Sequence, residues 1–143
     1  MYKVVLALPL VITLSGCGSS IPLCDDGEVT DLVSEIVFSD TREQFFQKQG
    51  RHNGLILRTN YAQSLEYKSK DEMLNRTIDE VDEFMDGFDF EISSIRTNSQ
   101  NEESKSSSCA ADLVFSNGNK HGIKYATQLT SESEVYVEVY GLR

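Results

Sequence analysis

The chain of 143 residues has no tryptophan, three cysteines, two histidines, and only 13 lysines and arginines against 23 aspartates and glutamates. Each shortage narrows the function. The formal net charge is −10 and no basic patch offsets it, so phosphate backbones and anionic headgroups are repelled and nucleic-acid binding is disfavoured. Paired carboxylates could suit glycoside cleavage, but no tryptophan is present to grip a sugar. No C-x-x-C pair occurs, no cysteine stands at metal-ligand spacing from His52 or His121, and no glycine-rich phosphate loop is present. Long apolar runs are missing too. The stretch Val4 to Leu14 falls well short of the roughly 20 residues that a membrane-spanning helix needs.

What is present is enough for one folded domain. Hydrophobic residues make up 39% of the chain and charged residues 25%, which places it among globular proteins rather than disordered ones. The length suits a single core.

The short apolar run follows Lys3, giving the charged and apolar regions of a secretory signal. It ends in Leu14-Ser15-Gly16-Cys17: an aliphatic residue, two small residues and a cysteine. In these residues the chain resembles the bacterial lipoproteins, whose lipobox has that pattern. The resemblance covers the first 17 residues only. It implies signal-peptidase recognition through Leu14, Ser15 and Gly16, and removal of residues 1–16. It also implies a covalent diacylglycerol on the Cys17 thiol and an acyl chain on the new amine. Two or three chains anchor stably where one is marginal. In that family an aspartate after the cysteine commonly retains the protein in the inner membrane. Gly18 stands there, so the outer membrane, facing the periplasm or the surface, is the expected location.

Cys24 and Cys109 remain. An exported protein meets an oxidising compartment, and a lone pair of cysteines is then expected to form a disulfide. From Cys17 to Cys24 the chain reaches at most about 25 Å, so residues 17–24 read as a short lipid tether and residues 25–143 as the domain.

Asp25 and Asp26 offer a helix start, and Val29, Leu32, Val33 and Ile36 recur at helical spacing. Ser39-Asp40-Thr41 reads as an interruption, with Asp40 and Glu43 restarting the helix through a capping box and Gly50 stopping it. Residues 51–68 carry no clear period. Ser69 and Glu72 form a second expected capping box before the stripe Leu74, Ile78, Val81 and Met85, which Gly87 closes. The acidic residues from Asp79 to Glu91 do not fit a calcium loop and read as a solvated face. His52 and His121 read as exposed loop histidines.

From Phe88 the period changes to two. Phe88, Phe90 and Ile92 share a face, and a phase shift near Ser93-Ser94 predicts a bulge. Gln100 to Ser106 suits a hairpin loop. Cys109, Ala111, Leu113 and Phe115 share one face, Asn117-Gly118 marks a tight turn, and Ile123, Tyr125, Thr127 and Leu129 alternate after it. Ser131 to Glu134 turns again before Val135, Val137 and Val139, whose opposite face carries Tyr136, Glu138 and Tyr140. The expectation is an α+β fold: N-terminal amphipathic helices packed on a four-stranded antiparallel meander. Its element order is similar to cystatin-like and nuclear-transport-factor-like folds, an analogy with little functional weight.

The sequence thus points to a non-enzymatic envelope lipoprotein with no bound metal or cofactor beyond its lipid. It would be held to the membrane by that lipid and act through contact with an envelope protein near the bilayer. Tyr136, Glu138 and Tyr140 form the expected contact surface, tyrosine being enriched where proteins meet. The alternative is a module that binds a small ligand or cell-wall component in a cavity between helices and sheet.

Overall fold

The computed structural model describes residues 20–143; the lipobox residues Leu14, Ser15, Gly16 and Cys17 lie outside the described residues. Val29, Val33 and Val37, one turn apart, build the buried stripe of helix α1 (Gly27–His52). Asp26 precedes the helix without a side-chain cap. Its carboxylate accepts instead from the Leu23 backbone N–H at 2.7 Å. The expected interruption at Ser39–Thr41 does not occur: α1 runs through it unbroken, and Asp40 caps nothing. The polar stretch marks a change of partner instead. Before it the valines pack on the sheet, and after it Phe46 packs with Ile78 and Val81 in a second, smaller core. One helix of about 39 Å therefore spans two cores.

Gly50 also departs from expectation. It lies inside the helix, buried, and a Cβ there would fall 2.2 Å from Leu57 Cδ1 and 2.9 Å from its Cγ. The glycine serves close approach rather than termination. The chain leaves the helix at Asn53 and Gly54, the latter at φ 80°.

The unreadable stretch contains a one-turn helix α2 (Tyr61–Ser64) and a 3-10 helix, Leu65–Lys70. Asn60 and Gln63 supply a reciprocal capping box at α2. Helix α3 (Glu72–Asp86) is capped by Asp71, which accepts from Leu74 N–H at 3.0 Å, not by Ser69. Ser69 lies within the 3-10 helix, three residues before α3 begins. Ile78 and Val81 are fully buried, with Leu74 and Met85 packed beside them. Gly87 closes the helix in right-handed geometry, so its freedom at positive φ is unused.

Strands β1 (Phe90–Asn101), β2 (Ser106–Phe115), β3 (Lys120–Leu129) and β4 (Val135–Tyr140) form an antiparallel meander in the order β1-β2-β3-β4. The predicted bulge is present: register shifts between Ser93 and Arg96, with Ser94 at φ 52°, and again between Thr97 and Ser99. Cys109, Ala111 and Leu113 of β2, Ile123 and Tyr125 of β3, and Val137 of β4 face the valines of α1. Each fully buried aliphatic side chain there is worth about 1.5–3 kcal/mol relative to an exposed one.

The N-terminal segment is fastened to this core at three points. Cys24 and Cys109 form a disulfide with a Cα–Cα distance of 5.8 Å. The buried Tyr125 hydroxyl donates to the Cys24 carbonyl at 2.7 Å, and Ser107 Oγ donates to the Pro22 carbonyl at 2.8 Å. Burial first, and the nearby Asp25 charge second, push the Tyr125 phenol up to about 12.

Candidate contact surface

Helix α1 covers one face of the sheet, and α3 packs on α1 in the second core. Alternation along each strand puts the other set of side chains on the uncovered face, and the register aligns them in rows. Gln128 stands opposite both Ser106 and Tyr136, Ala126 opposite Ser108 and Glu138, and Lys124 opposite Ala110 and Tyr140. The row through Glu138 is therefore built from Ala126 and Ser108, while Gln128 and Lys124 stand beside the two tyrosines. Tyr136 and Tyr140 remain 52% and 51% exposed. A shallow hollow of about 230 Å³ lies at one end, with Ser106, Ser108, Ala126, Gln128 and Tyr136 among its walls.

The two tyrosines do not hang free. Tyr136 donates its hydroxyl to Glu138 Oε1 at 2.9 Å, and Tyr140 donates to Glu138 Oε2. Strand geometry makes this possible, because residues two apart project from the same face. The hydrogen bond from Tyr140, then that from Tyr136, hold the Glu138 carboxyl below its ordinary range. The same bonds raise both phenols above theirs. Glu138 is thus ionised and both tyrosines neutral across the ordinary range of pH. The far side of the face carries a charged pair that the sequence alone did not single out: Arg96 lies 3.6 Å from Asp112. Alternation places Asp112 on this face, but only the bulge in β1 brings Arg96 to it.

The other residues singled out from sequence are scattered. His52 ends α1, exposed, and His121 is exposed on β3 with its Nε2 2.6 Å from the Gly141 carbonyl. The acidic series around α3 is engaged in separate contacts. Asp79 pairs with Lys68 at 2.7 Å, Asp82 accepts from the Tyr61 hydroxyl, and Glu80 accepts from Gln49, Asn53 and Arg76. The bonds from Asn53, then Gln49, lower the Glu80 carboxyl, which ties α1 to α3. Among the described residues no three histidine, cysteine or acidic side chains converge as a metal site would require, and no helix is long and apolar enough to cross a membrane.

No protein-family model, curated protein or solved structure matches the chain.

Proposed function

We propose that this chain is a lipid-anchored, non-enzymatic envelope protein whose uncovered sheet face docks another envelope protein close to the membrane. The observation that carries the reading is the pair of half-exposed tyrosines, held by one carboxylate beside a row of small side chains. Tyrosines already fixed by hydrogen bonds lose little side-chain freedom on binding, so more of their contact energy appears as affinity. Rigid aromatic side chains bordering a shallow depression are the usual anchors of a protein interface.

The lipobox sequence supports the anchor, and the fastening of residues 22–24 supports the placement. Pro22 is bonded to Ser107, whose neighbours Ser106 and Ser108 face the hollow. Residues 22–24 therefore lie on the covered side of the sheet, at the same end of the strands as Tyr136. From Ser20 to Cys17 the chain reaches at most about 11 Å. A lipid on Cys17 would keep that end of the sheet near the bilayer, within reach of the membrane-proximal part of a partner.

The test places a photocrosslinking side chain at position 136, and separately at 140, in cells making the full chain. Cys17→Ala and Glu138→Ala versions serve as controls. Capture of one envelope protein at both positions, lost without Cys17 and reduced without Glu138, is the expected result. Equal capture by the Cys17→Ala chain would remove the dependence on membrane placement, and no specific capture at either position would remove the contact surface. Intact mass of the detergent-extracted protein tests the anchor separately.

A further inference from the structure

The molecule has a second distinctive place, remote from the uncovered sheet face in composition and charge. The later turns of α1, helix α3 and the tail Leu142–Arg143 enclose an open cleft of about 790 Å³. Its apolar floor is the pair Phe45 and Phe84, stacked with ring centroids 4.0 Å apart and planes 14° from parallel. Phe84 stays 39% exposed. Gln44 donates to the Leu142 carbonyl at 3.1 Å and holds the tail in place as a wall.

The charges around this floor run against the composition of the chain. Lys48, Arg51 and Arg143 line the cleft, and Glu43 is its one acidic lining residue. Glu43 is already engaged: one oxygen accepts from Gln47 Nε2 and the other from the Tyr61 backbone N–H, both at 2.8 Å. Arg143 lies 4.0 Å from Asp40. Lys48 and Arg51, three residues apart and so on one face of the helix, have no carboxylate within 4.0 Å among the described residues. Lys68, Arg76 and Arg96 do have one. A place near the C-terminal end of α1 suits cations through the helix dipole. That accounts for their sign, but not for a phenyl stack beside them whose Phe84 ring is left exposed while Phe45 is half-buried.

We infer that this cleft binds a small organic anion. Its apolar or aromatic body lies on the Phe45–Phe84 pair, and its carboxylate, sulfonate or phosphate group meets Lys48 and Arg51. Net negative charge over the rest of the surface excludes anions generally, so two unpaired cations over an apolar floor select for ligands that satisfy both. The inference is independent of the proposed docking face and of the lipid anchor.

The experiment is a fluorescence titration of the purified full chain with anilinonaphthalene sulfonate, an aryl sulfonate, and in parallel with the uncharged N-phenyl-naphthylamine. The variant is Lys48→Gln with Arg51→Gln. Both positions are exposed, and an unchanged thermal midpoint confirms that the fold is kept. The expected result is saturable sulfonate binding that weakens about tenfold in the variant, as loss of charge-assisted contacts predicts, while the neutral probe is unaffected. Weakening of the sulfonate by added salt and displacement of Phe84 ring resonances on binding would support the same site. Three results overturn the inference: no saturable sulfonate binding, equal sulfonate affinity in the variant, or equal loss of both probes.

Discussion

Removing the disulfide by Cys24→Ala with Cys109→Ala should cost about 4–6 kcal/mol. The bridge spans a sequence separation of 85, and closing a loop of that size in the unfolded chain accounts for about 4.5 kcal/mol in the chain-entropy model. Both cysteines are buried, and the space left by two sulfurs adds about 1 kcal/mol. Two hydrogen bonds remain to hold the N-terminal segment, from Tyr125 to Cys24 and from Ser107 to Pro22. At about 1 kcal/mol net each, they do not offset the roughly 1–2 kcal/mol per residue needed to keep that segment ordered. Loss of the bridge should therefore free the segment as well as destabilise the whole. The assay is urea unfolding followed by far-UV circular dichroism, because the chain has no tryptophan to report. Amide exchange would run beside it, expected to rise first at Leu23 to Thr30. A loss below about 1 kcal/mol, or unchanged protection of those amides, would refute the reasoning. Small domains hold only about 5–15 kcal/mol in total, so the reduced protein should be marginal at body temperature.

Gly50→Ala gains helix propensity worth about 1 kcal/mol, but its methyl collides with Leu57 Cγ as well as Cδ1. Overpacking of about 1–3 kcal/mol should win, and Leu57→Ala added to it should restore part of the loss in chemical denaturation. Tyr125 and Tyr61 both have phenols pushed up to about 12, by burial first and, for Tyr61, by its bond to Asp82 next. Raised values mean that their contribution is whole below pH 10 and fades as pH climbs toward 12. Alkaline unfolding should start in that window, and Tyr125→Phe should flatten its pH dependence. Glu138→Gln should let Tyr136 and Tyr140 ionise nearer the ordinary phenol value, seen as an earlier rise in ultraviolet absorbance at alkaline pH. The Glu138 carboxyl itself is depressed, so its benefit is present above the unfolded carboxylate value and is lost as pH falls.

Period was the most readable signal. Alternation gave β2, β3 and β4, because a sheet covered on one face must alternate apolar and polar side chains. Asn117-Gly118 marked its turn, where Gly118 takes φ 81°. Helical spacing gave α3, but not its cap: Asp71 and Ser69 are both good caps, and only the path of the 3-10 helix decides between them. The region from 51 to 68 stayed unreadable because only Leu57 and Tyr61 of its apolar residues pack on a core, while Ile56, Leu65 and Tyr67 are exposed, so no periodic stripe forms. Leu57 fills the gap at Gly50, and Tyr61 reaches Asp82. At the contact surface, Tyr136, Glu138 and Tyr140 could be named from alternation, since residues two apart share a face. The cleft could not be found this way: Lys48, Phe84 and Arg143 are far apart in the chain, and no local pattern links them.

The sequence by itself determined the class of fold, because that follows from local period; it pointed to Cys24 with Cys109 only through the expected lipidation of Cys17, and the structure shows that disulfide. The tertiary structure alone decided that α1 continues through Ser39–Thr41 and past Gly50. Breaker residues carry only local preferences of about 1 kcal/mol, and two hydrophobic cores on one helix outweigh them.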